Sequence, residues 1–487
     1  LRFLTGEAYT FLGGKERSLM ILEIRDPIHG FVRLQEKEVK ILNSPAMQRL
    51  RRIRQLALAC QVYPGAVHTR FDHSIGVTHI AGLMAKAIQL DIDETELVRS
   101  AALLHDLGHG PYSHISELAL ERYAKRDSLQ SDQKKEKIHE LVTALMIRSD
   151  EQIVRILGAD KCDQIVNLLS KGHGQRVLKS VVSGPLDADK QDYLLRDSYF
   201  CGVRYGVFDI HQFHRSLIPH GPPDDKELMI KEGGVHAIEQ YVLAKYYLTF
   251  NVYRHKVRLI SDEMITRAIT LGIEKDHIKS LYDLYAFDNS AEFARRYAEW
   301  DDLRFEYEFG RSTTKTRCRL MLERLRERRL LKRIFTKNLR ELEPRLREFL
   351  PYLSKRGFAS ERESAEAEIA GLLKTVTGGQ AINKDQVIVH SLSFESARTV
   401  SRNDERGIQI LKAEGPKSFD EESTLFRSID EKFVEEYVEV YAPVEWSTPT
   451  DKGRIRRECE PKIISILDKT ARDIGERRKK EGKNANL

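Results

Sequence analysis

His105 and Asp106 stand side by side in HDLGHGPYSH, with His73 upstream in RFDHSIGV and an acidic cluster, Asp187 and Asp189, far downstream. Imidazole nitrogens mixed with carboxylate oxygens suit one divalent cation, drawn from Mn, Fe, Mg, Zn, Co or Ni. A cation held by several protein ligands with positions left open lowers the pKa of bound water towards neutrality, and so supplies a nucleophile without a strong base. An isolated histidine such as His79 or His236 is, by contrast, the ordinary packed or surface imidazole.

Other groups with phosphate chemistry lie close by. Arg70, three residues before His73, carries a guanidinium able to fork onto phosphate oxygens. His109 and His114 follow the HD pair, with Glu117 one helical turn on. If phosphorus is attacked, the departing oxygen needs a proton, and an imidazole titrating near neutrality is suited to give it. In DADKQDYLLRD, a helix capped by Asp187 puts Asp189, Tyr193 and Asp197 on one face at four-residue spacing, with Lys190 beside them. Asp192 and Arg196 then read as plain surface helix.

The elements that must position these groups are helices. His105 is expected near the end of a helix with apolar positions Leu97, Val98, Ala101 and Leu104, stopped by Gly108, Gly110 and Pro111. His73 follows Asp72 at an expected N-cap, and the next helix buries Ile75, Ile80, Leu83, Met84 and Ile88. Gln48 to Leu58 reads as an amphipathic helix with Arg49, Arg51, Arg52 and Arg54 on its outer side. Asp26-Pro27 and Gly30 signal a turn before a strand at Phe31 to Leu34. A long helical pattern runs from His236 past Ile269, with Tyr241, Lys245, Thr249 and Tyr253 as a stripe.

His73, His105, Asp106 and Asp189 fill an H…HD…D pattern that resembles the HD phosphohydrolase superfamily, and DPIHG, QRLRRIRQL, RFDHSIGV, HDLGHGPYSH, DADKQDYLLRD and YRHKV follow one another along the chain. Together they resemble the deoxynucleotide triphosphohydrolases of the sterile-alpha-motif/HD type and their bacterial dGTPase relatives. The likeness covers roughly residues 20 to 270 well. It implies His73, His105, Asp106 and Asp189 as metal ligands, His114 as general acid oriented by Glu117, and His109 and His139 on phosphate. It also implies Arg70 on the α-phosphate side, Lys190 on phosphate, Tyr193 on phosphate or sugar, Asp197 on the sugar 3′-hydroxyl, Tyr253 beneath the deoxyribose, and Gln55 and Leu56 on base and sugar.

Gln48 and Arg51 fall in the family's nucleotide effector site. Asn43 stands where regulated relatives place a guanine-selecting acid, and an amide cannot accept two guanine N–H bonds as a carboxylate does. Lys245 and Thr249 stand where the family has arginine and histidine. Lysine neutralises phosphate but lacks the bidentate fork.

The 487 residues, 41% hydrophobic and 32% charged, have a soluble globular composition with room for a large core plus an appended lobe. Cys60, Cys162, Cys201, Cys318 and Cys459 are scattered without CxxC spacing, which argues for reduced thiols in the cytoplasm. No apolar run approaches a membrane span, and no signal peptide is read at the N-terminus. A net charge of +6 is mildly basic, and runs at Arg317 to Arg333 and Arg477 to Lys480 read first as solvated faces and second as contacts for nucleic acid or nucleotide phosphate.

The expected fold is mostly α: an N-terminal arm over 1–20, an HD helical core with a helical extension over 21–355, and a C-terminal α/β lobe with a basic tail over 370–487. Asp276 to Leu350 reads as helical, and QVIVHSL, GIQILK and FVEEYVEVYAP as strands before a helix from Glu460 to Ile474. Three functions follow: a metal-dependent dNTP triphosphohydrolase, as a homo-tetramer or other homo-oligomer with a nucleotide effector; an HD-type nuclease or phosphodiesterase; and a non-catalytic nucleotide-sensing assembly.

Overall fold

The protein is described here by a computed structural model covering residues 22–131, 133–170, 175–223, 225–395, 407–428 and 434–484; the arm expected over 1–20 lies outside them. The fold is predominantly helical with three small sheets among the described residues. It forms two compact units. One takes the described residues of Leu1–Tyr253, Tyr282–Phe305 and Ala397–Glu431, the other those of Arg254–Leu281, Glu306–Ser396 and Lys432–Leu487.

The first unit opens with an antiparallel hairpin, Leu22–Asp26 and Gly30–Leu34. Asp26 closes its turn by accepting the N–H groups of Ile28 at 2.8 Å and His29 at 2.9 Å, the local bond that makes Asp a turn residue. Gly30, at φ +75°, takes the left-handed conformation that ends the turn.

Three helices carry the chemistry. Arg70–Ala87 is started by a capping box in which Thr69 and Asp72 satisfy each other's backbone N–H groups, so the cap is Thr69 rather than Asp72. Its buried Phe71, Ile75, Ile80 and Met84 pack it against Ile92–Leu104, capped by Asp91, and against Ala188–Cys201, capped by Asp187 as the spacing predicts.

Several expectations change. Gln48 to Leu58 is not one helix: Pro45–Arg49 is α-helical, Leu50–Arg52 is a 3₁₀ turn, and Arg54 then bridges to Thr69 as extended chain. Arg49 is buried rather than on an outer basic face, because its guanidinium is used up by the carbonyls of Leu107 (3.1 Å), His109 (2.5 Å) and Trp300 (2.7 Å). The His236 pattern divides into Val235–Leu248, a π-helical turn over Thr249–Tyr253, and Lys256–Glu274. Gln409–Lys412 pairs in parallel with Glu227–Lys231, giving a four-stranded sheet with Leu217–His220 and Gly415–Ser418 on its edges.

In the second unit, Lys332–Asn338 is a strand within the stretch expected to be helical. It flanks the central strand Val434–Ala442, whose other neighbour is Ile388–Glu395. Val438 and Val440 of the central strand pack with Ile369 and Leu373 of helix Ala359–Val376 and with Ile463 and Leu467 of helix Pro449–Asn484. Among the described residues no helix is long and apolar enough to cross a membrane.

Candidate active site

The three helices bring His73, His105, Asp106 and Asp189 to one point. His105 is the C-cap of Ile92–Leu104. Its Nδ1 donates to the Ala102 carbonyl at 2.7 Å, which leaves the Nε2 lone pair turned away from the helix. That Nε2 lies 3.2 Å from Asp106 Oδ1 and 3.8 Å from Asp189 Oδ1. His73 Nε2 lies 3.0 Å from the same Asp189 oxygen and 3.8 Å from Asp106 Oδ2. His73, His105 and Asp106 each offer one ligand atom within 4.8 Å of the others.

This donor set fits a divalent cation. His105 Nε2 is buried with no hydrogen-bond partner among the described residues, a costly state for a polar atom unless something else occupies it. Burial alone would lower the His73 pKa, but Asp189 and Asp192 outweigh burial and raise it to about 10. Burial would likewise raise Asp189, and His73 outweighs that to bring it to about 2. Both shifts mark a pocket that favours positive charge. Asp189, with a third of its side chain exposed, is the donor that faces outward.

Behind His73 lies a carboxylate that the sequence reading placed on the surface. Asp192 is fully buried, and its Oδ2 accepts from His73 Nδ1 at 2.8 Å. Arg196, also fully buried, donates to both oxygens of Asp192, from Nε at 2.7 Å and NH2 at 3.0 Å. The surface assignment fails because the opposite face of the Asp189 helix packs on Arg70–Ala87. Its polar residues there are mutually neutralised instead of solvated. The i, i+4 acid–arginine spacing was the available signal.

Beside the ligands runs a chain of acid and imidazole groups. His109 Nε2 is 3.1 Å from Asp106 Oδ1, and its Nδ1 is 3.4 Å from Glu117 Oε1. Glu117 accepts from His114 Nδ1 at 2.7 Å and has its other oxygen 3.5 Å from His139 Nδ1. Burial opposes ionisation of Glu117, but His114, His139 and His109 together hold its carboxyl well below the usual range. Burial lowers His109 to about 4 and His139 to about 3, so both rings are neutral at pH 7. His109, Glu117 and His139 thus form a second group of converging donors. His114 is more than half exposed.

The loop between His105 and His114 is held by strain and by polar contacts. Tyr112 and Ser113 sit at φ +58° and +52°, unusual for residues with a side chain. Asp302 accepts the Tyr112 N–H at 2.7 Å, and Ser113 Oγ accepts from Arg70 Nε at 2.8 Å while donating to the Arg54 carbonyl at 2.7 Å. Arg70 also reaches Asp106 Oδ2 at 2.5 Å. Gly108 and Gly110 serve close approach, not unusual dihedrals: a Cβ would strike Thr143 at the first and Tyr297 at the second.

The remaining candidates line the same unit. Lys190 pairs with Asp187 at 2.6 Å. Tyr193 lies edge-on to Tyr253, 6.3 Å between ring centroids. Asp197 accepts from Tyr253 at 2.6 Å and is 2.8 Å from His68 Nε2, a buried histidine that the motif reading passed over. Burial, then Lys190, lowers Lys245 to about 8. Thr249 Oγ1 donates within its own helix, to the Lys245 carbonyl at 2.8 Å. Gln55 is buried with Oε1 lacking a hydrogen bond among the described residues, and Leu56 is buried beside it in sequence. Asn43 caps helix Glu36–Leu42 in solvent, Gln48 accepts from Arg51 Nε at 2.9 Å, and Arg51 stacks 3.6 Å above Phe71.

The HD domain matches residues 70–194, the span holding all four clustered donors, and an HD associated region matches residues 214–449. Residues 70–194 carry an HD domain.

Among relatives of this chain, human deoxynucleoside triphosphate triphosphohydrolase SAMHD1 is 30% identical over 275 residues, 50% of this chain and 44% of that one. Uncharacterized protein MJ1154 of Methanocaldococcus jannaschii is 29% identical over 467 residues, covering 93% of this chain and 89% of its own. Several curated relatives are matched over only about half their length. The crystal structure of a hypothetical protein from Aquifex aeolicus superposes with a TM-score of 0.63 and 25% identity, over 92% of this chain and 100% of that chain.

Proposed function

We propose that the protein is a metal-dependent deoxynucleoside triphosphate triphosphohydrolase, converting dNTP and water to deoxynucleoside and triphosphate. One observation carries this reading. A cation-binding donor set and an acid–imidazole chain ending in an outward-facing histidine meet at Asp106, which His109 contacts. The relation to SAMHD1 supplies the substrate class.

His73, His105, Asp106 and Asp189 would hold the metal, whose identity among Mn, Fe, Mg, Zn, Co and Ni the donors leave open. Such an ion, when bound, makes water nucleophilic near neutral pH. Arg70 and Lys190 neutralise phosphate charge, and His109 and His139 lie against phosphate oxygens. Water oxygen bonds to the α-phosphorus and its proton passes to solvent, the bond from phosphorus to the sugar 5′-oxygen breaks, and His114 gives that oxygen its proton and is reprotonated from solvent. Glu117, held ionised, keeps His114 Nδ1 engaged and Nε2 facing outward.

Tyr193, Tyr253 and Asp197 form the wall for the sugar, Gln55 and Leu56 meet base and sugar, and Lys245 meets the distal phosphates. An effector at Asn43, Gln48 and Arg51 and a homo-oligomeric assembly belong to the same proposal. Lys245 and Thr249, in place of arginine and histidine, favour a second reading as a nuclease or phosphodiesterase.

Chromatography of reactions with dNTPs, NTPs and single-stranded nucleic acids separates the two. Triphosphate plus deoxynucleoside is expected; nucleoside monophosphates released from DNA or RNA support the second reading. His105→Ala is expected to abolish turnover, and full activity in that variant after metal stripping refutes the mechanism.

A further inference from the structure

The DPIHG hairpin lies outside the donor set, yet its histidine ends on the carboxylate behind His73. His29 Nε2 is 2.6 Å from Asp192 Oδ1, with 6% of the His29 side chain exposed. Asp192 is therefore contacted four times: by His29 and Arg196 NH2 on one oxygen, and by Arg196 Nε and His73 Nδ1 on the other. The hairpin grips Arg196 as well, because Asp26 Oδ2 lies 2.9 Å from Arg196 NH1. His29 lies near His79, 5.2 Å between centroids with the ring planes tilted by 35°. Gly76, one turn after His73, supplies the opening: a Cβ there would collide with both the Asp192 carboxylate and the Arg196 guanidinium.

A ligating imidazole binds through one nitrogen only if the other is held as an N–H donor. The partner of that N–H fixes both tautomer and ring plane. Asp192 is the partner here, and a buried carboxylate with four well-formed contacts has no freedom to rotate. Arg196 alone would balance its charge. The second contact on Oδ1, from His29, determines which way the carboxylate plane faces.

We propose that His29 is a positioning residue for the metal centre, acting through Asp192 to hold His73 as the Nδ1–H tautomer with Nε2 aimed at the cation. The DPIHG hairpin is on this view an outer brace of the ligand set. The proposal rests on His73 being a metal ligand.

The test is titration of the full-length protein with Co²⁺, followed by visible absorption of the bound ion and by calorimetry, for wild type, His29→Ala, His29→Gln and His105→Ala. A glutamine amide presents its N–H₂ near the place of imidazole Nε2, so it restores the contact to Asp192 without the ring. Expected are Co²⁺ affinity about 10- to 100-fold weaker in His29→Ala with an altered spectrum, and substantial recovery in His29→Gln. Unaltered affinity and spectrum in His29→Ala overturn the proposal, as does equal weakening in both His29 variants, which marks a packing role. Co²⁺ binding by His105→Ala equal to wild type overturns the metal reading itself and the proposal with it, so the two failures are told apart.

Discussion

Gly76 and Asp192 occupy one another's space: the missing Cβ of the glycine is where the carboxylate sits. Both lie inside the motifs that carry the donors, RFDHSIGV and DADKQDYLLRD, and each allows the His73 and Asp189 helices to approach closely enough for their donors to meet.

Gly76→Ala is therefore expected to push Asp192 and Arg196 away from His73. Overpacking at a closed contact costs about 1–3 kcal/mol, so thermal unfolding should show a lowered midpoint. Retention of both stability and Co²⁺ affinity would show that the carboxylate moves aside freely.

His114→Asn keeps a polar side chain beside Glu117 but removes the transferable proton. It should lower kcat by about 10²- to 10⁴-fold while leaving Co²⁺ affinity unchanged, since among the described residues His114 is linked to the donor set through Glu117 and His109. Loss of metal binding in this variant would move His114 out of the acid role.

Lys245, brought to about 8 by burial and then by Lys190, holds its charge at pH 7 and loses it as pH rises through 8. If it meets the distal phosphates, kcat/KM for a dNTP should fall between pH 7 and 9, because that ratio reports the free enzyme. Lys245→Arg keeps its charge throughout and should remove this limb. An unchanged profile in the arginine variant would assign the limb to another group.

Asp302 accepts the Tyr112 and Arg54 N–H groups, and burial raises its carboxyl to about 6. A carboxyl raised in the folded state binds protons more tightly there than in the unfolded chain. Its contribution is full below the ordinary value near 4 and is lost as pH rises through 6, worth on the order of 2–3 kcal/mol over the window. Asp302→Asn should flatten the fall in stability between pH 4 and 6, read from urea midpoints across that range. An unaltered slope would show that Asp302 does not titrate there.

The clustered donors and their order along the chain were legible in the sequence because short motifs carry them. His105 before a helix end and Asp187 at an N-cap follow from local backbone chemistry, and so did those placements. Asp192, Arg196, His29, His68 and Arg49 were not legible. Charged or polar residues on a helix or in a turn default to solvent, and only the approach of a distant element turns that face inward.

The same holds for Gly108 and Gly110, whose composition signals a break while their function is clearance for Thr143 and Tyr297. Sequence by itself determined which atoms are available to a cation and which helices present them, since periodicity and capping are properties of neighbours along the chain. Tertiary structure alone decided which carboxylate stands behind His73, which carbonyls claim Arg49, and how Gln409–Lys412 joins a sheet begun far upstream. Those are contacts between segments remote in sequence, and their free energy depends on burial that no local pattern encodes.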